Sequence, residues 1–193
     1  MEEAAAKELF DSDGKNGELA KKLHDLIRLV PDFPQPGILF RDITTLLVSP
    51  EGLSDTLEGF YQKYKDQHID LVAGMEARGF LFGPALAIKL GCGFVMLRKP
   101  NKLPGEKHEV YYGKEYGKQD CLCLSKGLVK SGQRVLILDD LIATGGTAAA
   151  AIDLIKEAGG EVAGSAFIVE LSELPGRENL EKLGSDVFSL IKC

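Results

Sequence analysis

The stretch "RVLILDDLIATGGTAAAAIDLI", residues 134–155, limits the fold more than any other part of the chain. Val135 to Leu138 form an unbroken apolar run, the pattern of a strand buried on both faces. The run ends in two adjacent carboxylates, Asp139 and Asp140, and a nearly bare loop centred on Gly145–Gly146. An alanine-rich segment of helical spacing follows at once and is stopped by Gly159–Gly160.

The same alternation recurs along the chain. "IDLVAGM", "FVMLRK", "QDCLCLS", "EVAGSAFIVEL" and "VFSLI" read as strands, and "GFLFGPALAIKL" and "GRENLEKL" as helices. "ELAKKLHDLIRLV" places Leu19, Leu23, Leu26, Ile27 and Val30 on one helical stripe ended by Pro31. "EGLSDTLEGFYQKYKDQ" does the same with Leu53, Leu57, Phe60, Tyr61 and Tyr64. Such alternation predicts an α/β fold: a mainly parallel, twisted sheet flanked by helices. At 193 residues the chain suits one domain. Residues 1–17 read as an acidic leader and 18–193 as that domain.

Two segments resist this pattern. "PDFPQPGILFRDITTLL", residues 31–47, has too much proline for a helix and too much apolar surface for a solvated linker, so part of it packs on the body or on a ligand. Residues 100–117 mix glycine, proline and both charge signs without a sustained period. A loop of that length in a compact domain reads as a lid or a disordered segment.

In open α/β sheets ligands sit beyond the carboxyl ends of the strands, and residues 143–147 occupy such an end. Backbone N–H groups at the start of the following helix lack intrahelical partners, and the helix dipole adds positive potential. Gly145 and Gly146 let an anion approach the backbone, while Thr144 and Thr147 add hydroxyls. A phosphate monoester fits. Neither GxxxxGK[ST] nor GxGxxG is present, which removes the main support for a nucleoside triphosphatase or a dinucleotide-binding domain. With 23 basic and 29 acidic residues the chain lacks an overall basic footprint for nucleic acid, so local groups must hold the phosphate. Asp139 and Asp140 repel a phosphate, but they can accept from two vicinal hydroxyls and stabilise positive charge on a sugar.

"VLILDDLIATGGT" resembles the phosphoribosyl pyrophosphate (PRPP) motif of the type I phosphoribosyltransferase family. "DFPQPGILFRDITTLL", "AGMEARGFLFGPALA", "RKPNKLPGE" and "EYGK" resemble, in the same order, the motifs of its adenine-specific branch, over roughly residues 30 to 190. The resemblance implies a reaction joining adenine to PRPP with magnesium as cofactor, giving AMP and pyrophosphate in purine salvage. It further implies a base-binding hood at about 31–47, a flexible lid at about 98–117, a cytoplasmic enzyme and a homodimer.

By resemblance, Asp139 and Asp140 hold the ribose hydroxyls, and Ala143, Thr144, Gly145, Gly146 and Thr147 cradle the 5′-phosphate. Arg78 in "EARG" meets the pyrophosphate, as do Arg98, Lys99 and Lys102 from the lid. Phe40 stacks on adenine opposite Leu171, and main-chain groups of Leu39 and Arg41 read the base edge. Glu115 matches the catalytic acid/base. Magnesium rides on PRPP oxygens and water, without direct protein ligands. Positions 105–114, His108 included, receive no role. Two alternatives share the PRPP motif. One is an enzyme for another purine base, although "VELSELPG" lacks a lysine for a 6-oxo group. The other is a PRPP-sensing regulator, although the first 30 residues show no helix-turn-helix.

The four cysteines show no CxxC or zinc spacing. Cys121 and Cys123 share a face if their segment is a strand, and they read as a reduced pair suited to a reducing compartment. No run of 18 apolar residues indicates a membrane span.

Overall fold

A computed structural model describes residues 14–113 and 120–193. Five strands form one parallel sheet: β3 (Leu71–Met75), β4 (Gly93–Leu97), β7 (Arg134–Ile142), β8 (Glu161–Glu170) and β9 (Val187–Lys192). Their order is β4-β3-β7-β8-β9, which puts β7 at the centre. Helices α1 (Gly14–Asp25), α3 (Pro50–Tyr64), α4 (Gly79–Leu90), α5 (Gly146–Glu157) and α6 (Gly176–Lys182) flank it. This is the α/β architecture expected from the strand–helix alternation.

The central strand explains the two cores. Side chains alternate across a strand, so Val135 and Ile137 pack into one cluster with Ala151, Ile152 and Ile155 of α5. Leu136 and Leu138 point the other way, into Phe60 and Tyr64 of α3 and Phe82 and Leu86 of α4. All four strand residues are buried, so β7 has no solvent face and its sequence shows no polar alternation. Helix α3 starts where its sequence dictates: Ser49 Oγ accepts from Gly52 N at 3.0 Å, and Pro50 follows the cap.

Residues 28–30 depart from expectation. The helical stripe extends through Val30 in the sequence, but α1 ends at Asp25 and Arg28–Val30 form strand β1, antiparallel to β2 (Phe40–Asp42). The cause is a polar clamp. Asp42 accepts from Thr44 N at 2.9 Å, Thr44 Oγ1 at 2.7 Å and Arg28 Nε at 3.0 Å. These donors, Thr44 first, pull the Asp42 carboxyl down to about 2. Thr45 Oγ1 adds a bond to Leu26 O at 2.5 Å. Tertiary partners outweigh a helical pattern that weakens toward its end. The proline-rich segment 31–47 thus supplies β2 and the short α2 (Thr44–Leu47), with Ile43 and Leu46 buried in the body. Helix α1 also begins at Gly14, inside the expected leader, and residues 1–13 lie outside the described residues.

The expected lid at 98–117 is partly regular. Lys107–Tyr112 form β5, antiparallel to β6 (Asp120–Ser125). Its period is hard to read because only Val110 and Tyr112 pack toward the core, while Lys107, Glu109 and Tyr111 alternate with them. Residues 114–117 lie outside the described residues.

Candidate active site

Strand β7 runs past its two aspartates to Ile142, and the chain then turns through 143–145 into α5. Gly145 makes that turn at φ 83°, a left-handed conformation that side chains disfavour. No side chain among the described residues caps α5, so its first N–H groups face outward. A second segment braces the turn from behind. A Cβ on Gly176 would lie 2.3 Å from Ala143 O, and one on Gly145 would lie 3.0 Å from Gly176 O. The two backbones touch because both residues lack side chains. Asn179 Nδ2 donates to Thr144 O at 3.0 Å.

Helix α6 is itself held by a half-buried fork. Arg177 Nε and Nη2 donate to Glu170 at 2.7 and 2.5 Å, and Nη1 donates to Val187 O at 2.7 Å. Burial works against the Glu170 charge, but Arg177 overrides it and leaves the carboxyl below its ordinary value. In the sequence "GRENLEKL" reads only as a short helix; its glycine, arginine and asparagine all support the loop. Nothing local in the sequence signals that, since the contacts span 35 positions in the case of Asn179.

The turn, the aspartates and Arg78 open onto one cavity of about 390 Å³, floored by Met75 and Phe167. Asp139 is half-buried, and its Oδ1 accepts from Asp140 N at 2.9 Å. Burial first, and the adjacent Asp140 charge second, push the Asp139 carboxyl well above the ordinary carboxylate range. Asp140 is buried and pairs with Arg78 Nε. Arg78 occupies the N-cap position of α4, just past the end of β3, and β3 neighbours β7, so sheet order places the arginine beside the aspartate. The peptide bond between Glu76 and Ala77 is cis.

The lid cations divide. Lys99 Nζ donates to Tyr112 Oη at 2.9 Å and Asp120 Oδ1 at 3.1 Å, and Tyr112 Oη accepts from Thr147 Oγ1 at 3.3 Å. That chain ties Lys99 to the phosphate turn. Tyr112 and Asp120 also line the cavity, a placement that sequence reasoning missed. Arg98 forks onto Glu76 at 3.2 and 3.0 Å and donates to Lys102 O at 3.1 Å. The fork holds the Glu76 carboxyl below its ordinary value. Lys102 lies on the exposed surface at the same bend.

The hood residues Leu39, Phe40 and Arg41 stand on or beside β2, outside the lining of this cavity. Arg41 Nη1 donates to Leu39 O at 2.5 Å, and Phe40 meets Phe33 edge-on at 5.1 Å between ring centroids. Leu171 follows the end of β8, where its N–H donates to Ile142 O at 3.0 Å beside the cavity wall. Glu115 lies outside the described residues.

In chemical terms the cavity offers uncapped helix amides for an anion, a carboxylate pair for hydroxyls or developing positive charge, and an arginine at the rim. Comparison with known proteins agrees with that reading. Residues 44–191 match the family model described as a phosphoribosyl transferase domain. The chain is 50% identical to the adenine phosphoribosyltransferase of Koribacter versatilis over 180 residues, 93% of this chain and 97% of that one. The crystal structure of adenine phosphoribosyltransferase from Thermoanaerobacter pseudethanolicus superposes with a TM-score of 0.85 at 45% identity, covering 90% of this chain and 99% of that one. The Saccharomyces cerevisiae enzyme, crystallised with D-2,5-dideoxy-2,5-imino-altritol 1,6-bisphosphate and adenine, superposes with a TM-score of 0.83 at 40% identity, covering 90% and 98%.

Proposed function

The chain belongs to the phosphoribosyltransferase family, and on that premise we propose that it transfers the phosphoribosyl group of PRPP to adenine, forming AMP and pyrophosphate in purine salvage. The observation that carries this reading is the pairing of Asp139 and Asp140 with the uncapped start of α5 in one cavity. A sugar phosphate presents hydroxyls to the first and an anion to the second.

The bond from the anomeric carbon to pyrophosphate breaks, and N9 of adenine bonds to that carbon and gives up its proton. Cleavage runs ahead of attack, leaving positive charge on the ribose, the same problem that glycosidases meet with carboxylates. Asp139 and Asp140 hold the ribose hydroxyls and stabilise that charge. Amides and hydroxyls of residues 143–147 hold the 5′-phosphate. Arg78, Lys99 and Lys102 face the leaving pyrophosphate. Arg98, engaged by Glu76, shapes the loop that presents them. Phe40 and Leu171 sandwich adenine, whose edge meets main-chain groups at Leu39 and Arg41. Glu115 exchanges the proton of the base.

Magnesium fits this cavity. Its described lining carries hard carboxylate oxygens and neither thiol nor imidazole, the donor chemistry that magnesium prefers. Carried mainly by substrate oxygens and water beside Asp139 and Asp140, it would supply charge neutralisation of the leaving group.

Residues 18–193 act as one domain on this reading, and the reaction belongs in the cytoplasm. No helix among the described residues is long and apolar enough to cross a membrane, and the four cysteines are unbridged. The enzyme is a homodimer: Leu81, Pro84 and Ile88 form an exposed apolar stripe on α4, with Ile88 81% exposed. Sedimentation should give twice the chain mass, and Ile88→Glu should shift the balance toward monomer; a monomeric parent at micromolar concentration would refute the dimer.

The decisive experiment is a base panel with PRPP and magnesium. Adenine should be converted at least about 10²-fold faster than hypoxanthine or guanine, given what buried hydrogen-bonding edges discriminate. A higher rate with hypoxanthine would overturn the choice of base, and no product with any purine would overturn the reaction.

A further inference from the structure

The β5–β6 ribbon carries two faces. Val110, Tyr112, Leu122 and Leu124 belong to the core cluster on one. On the other, cross-strand register sets Glu109 opposite Cys123 and Tyr111 opposite Cys121. Residues directly opposite in an antiparallel ladder share a face, so this pairing sets the Glu109 carboxylate beside two thiols of the facing strand, Cys123 lying 14 positions along the chain. Cys121 Sγ and Cys123 Sγ are 3.8 Å apart, and Cys123 Sγ is 3.7 Å from Glu109 Oε1. Among the described residues, only here do ligating atoms of three such side chains gather within 4.8 Å of one another.

The two measured separations match those in a coordination sphere, and the third ligand pair lies within 4.8 Å. With Zn–S near 2.3 Å and Zn–O of 2.0–2.2 Å, a tetrahedral ion holds two sulfurs about 3.8 Å apart and sulfur and oxygen about 3.6 Å apart. We propose that Cys121, Cys123 and Glu109 form a binding site for a thiophilic divalent cation of the zinc class, separate from the magnesium that accompanies the diphosphate. Binding forms two metal–sulfur bonds and one metal–oxygen bond, and the two thiols release their protons to solvent. The set then carries one net negative charge, offset by Lys107, whose Nζ lies 3.3 Å from Glu109 Oε1. Cys121 and Cys123 are buried, whereas Glu109 and Tyr111 are exposed, so the ion enters from the Glu109 side and keeps water in its fourth position.

A disulfide fits the same cysteines poorly. Residues two apart on a strand have Cα atoms about 6.6–6.8 Å apart, at the outer limit of the bridging range. The missing CxxC spacing is no objection either, because the third ligand comes across the ladder rather than along the chain. The metal ties β5 to β6 just outside Gly113 and Asp120, both of which line the substrate cavity.

The test is a cobalt(II) titration of the reduced, chelator-treated full-length protein, followed by zinc(II). One cobalt per chain should bind with a near-ultraviolet thiolate-to-metal absorption band that zinc abolishes. Cys121→Ser with Cys123→Ser should remove the band, and Cys92→Ser with Cys193→Ser should leave it. Glu109→Gln, at an exposed position that does not threaten folding, should weaken cobalt binding by at least about 10-fold. A parent protein without the band, a band that survives loss of Cys121 and Cys123, or unchanged affinity in Glu109→Gln would each overturn the site.

Discussion

Asp139→Asn combined with Asp140→Asn should lower turnover by about 10³-fold, the scale expected when groups that stabilise transition-state charge are removed, while the circular dichroism spectrum should stay that of the parent. The double substitution keeps the volume of each side chain. The amide oxygen introduced at position 140 still accepts from Arg78, so the wall of the cavity holds its shape. A variant with the parental rate would refute the ribose role of the pair.

The single change Asp139→Asn has a pH signature of its own. The carboxyl of Asp139 is raised by burial and by Asp140, so it remains protonated above the ordinary carboxylate value. Ionising it sets a second charge beside Asp140, and the folded state loses stability as pH rises from the ordinary value through the raised one. Melting temperature against pH should therefore be flatter in that window for Asp139→Asn. Catalysis reverses the preference, because a positive ribose favours the ionised pair. For the parent, kcat/KM should fall as pH drops below the raised value, and the variant should lack that limb.

Gly176→Ala is the second large effect, and it acts from behind the site. The new methyl would sit 2.3 Å from Ala143 O and 2.7 Å from Ile142 Cγ1, and the nearer contact is backbone that cannot swing aside. Either α6 lifts, straining the Arg177–Glu170 fork and the Asn179–Thr144 bond, or the phosphate turn shifts by roughly 1 Å. A shift of that size costs about 10²-fold in rate, and overpacking costs about 1–3 kcal/mol in stability. Steady-state kinetics should show a raised KM for PRPP together with a reduced kcat, and thermal unfolding should show a lower Tm. Parental values of all three would mean that α6 does not brace the turn.

These two sites differ in what the chain discloses locally. Asp139, Asp140 and the turn at 143–147 are legible because strand, carboxylates, glycines and helix lie consecutively, and their chemistry follows from that order. Gly176, Arg177 and Asn179 are not, since each acts on a segment that only folding brings near. Tyr112 is obscured for another reason: its strand buries one side chain in two against the core, and the charged alternates mask the period. Val30 reads wrongly as helical because its apolar spacing suits α1, whereas Asp42 and Thr45 hold that segment as a strand.

The amino-acid sequence by itself determined the alternation of strands and helices, the phosphate turn and the acidic pair, because periodicity and loop chemistry are properties of neighbours in the chain. Only the tertiary structure decided which distant groups complete them. Arg78 reaches Asp140 across 62 positions because β3 and β7 are adjacent in the sheet. Glu109 reaches Cys123 because antiparallel register sets them opposite one another. Such contacts depend on strand order and register, which are settled by burying both faces of the central sheet at once, and no local window of residues carries that information.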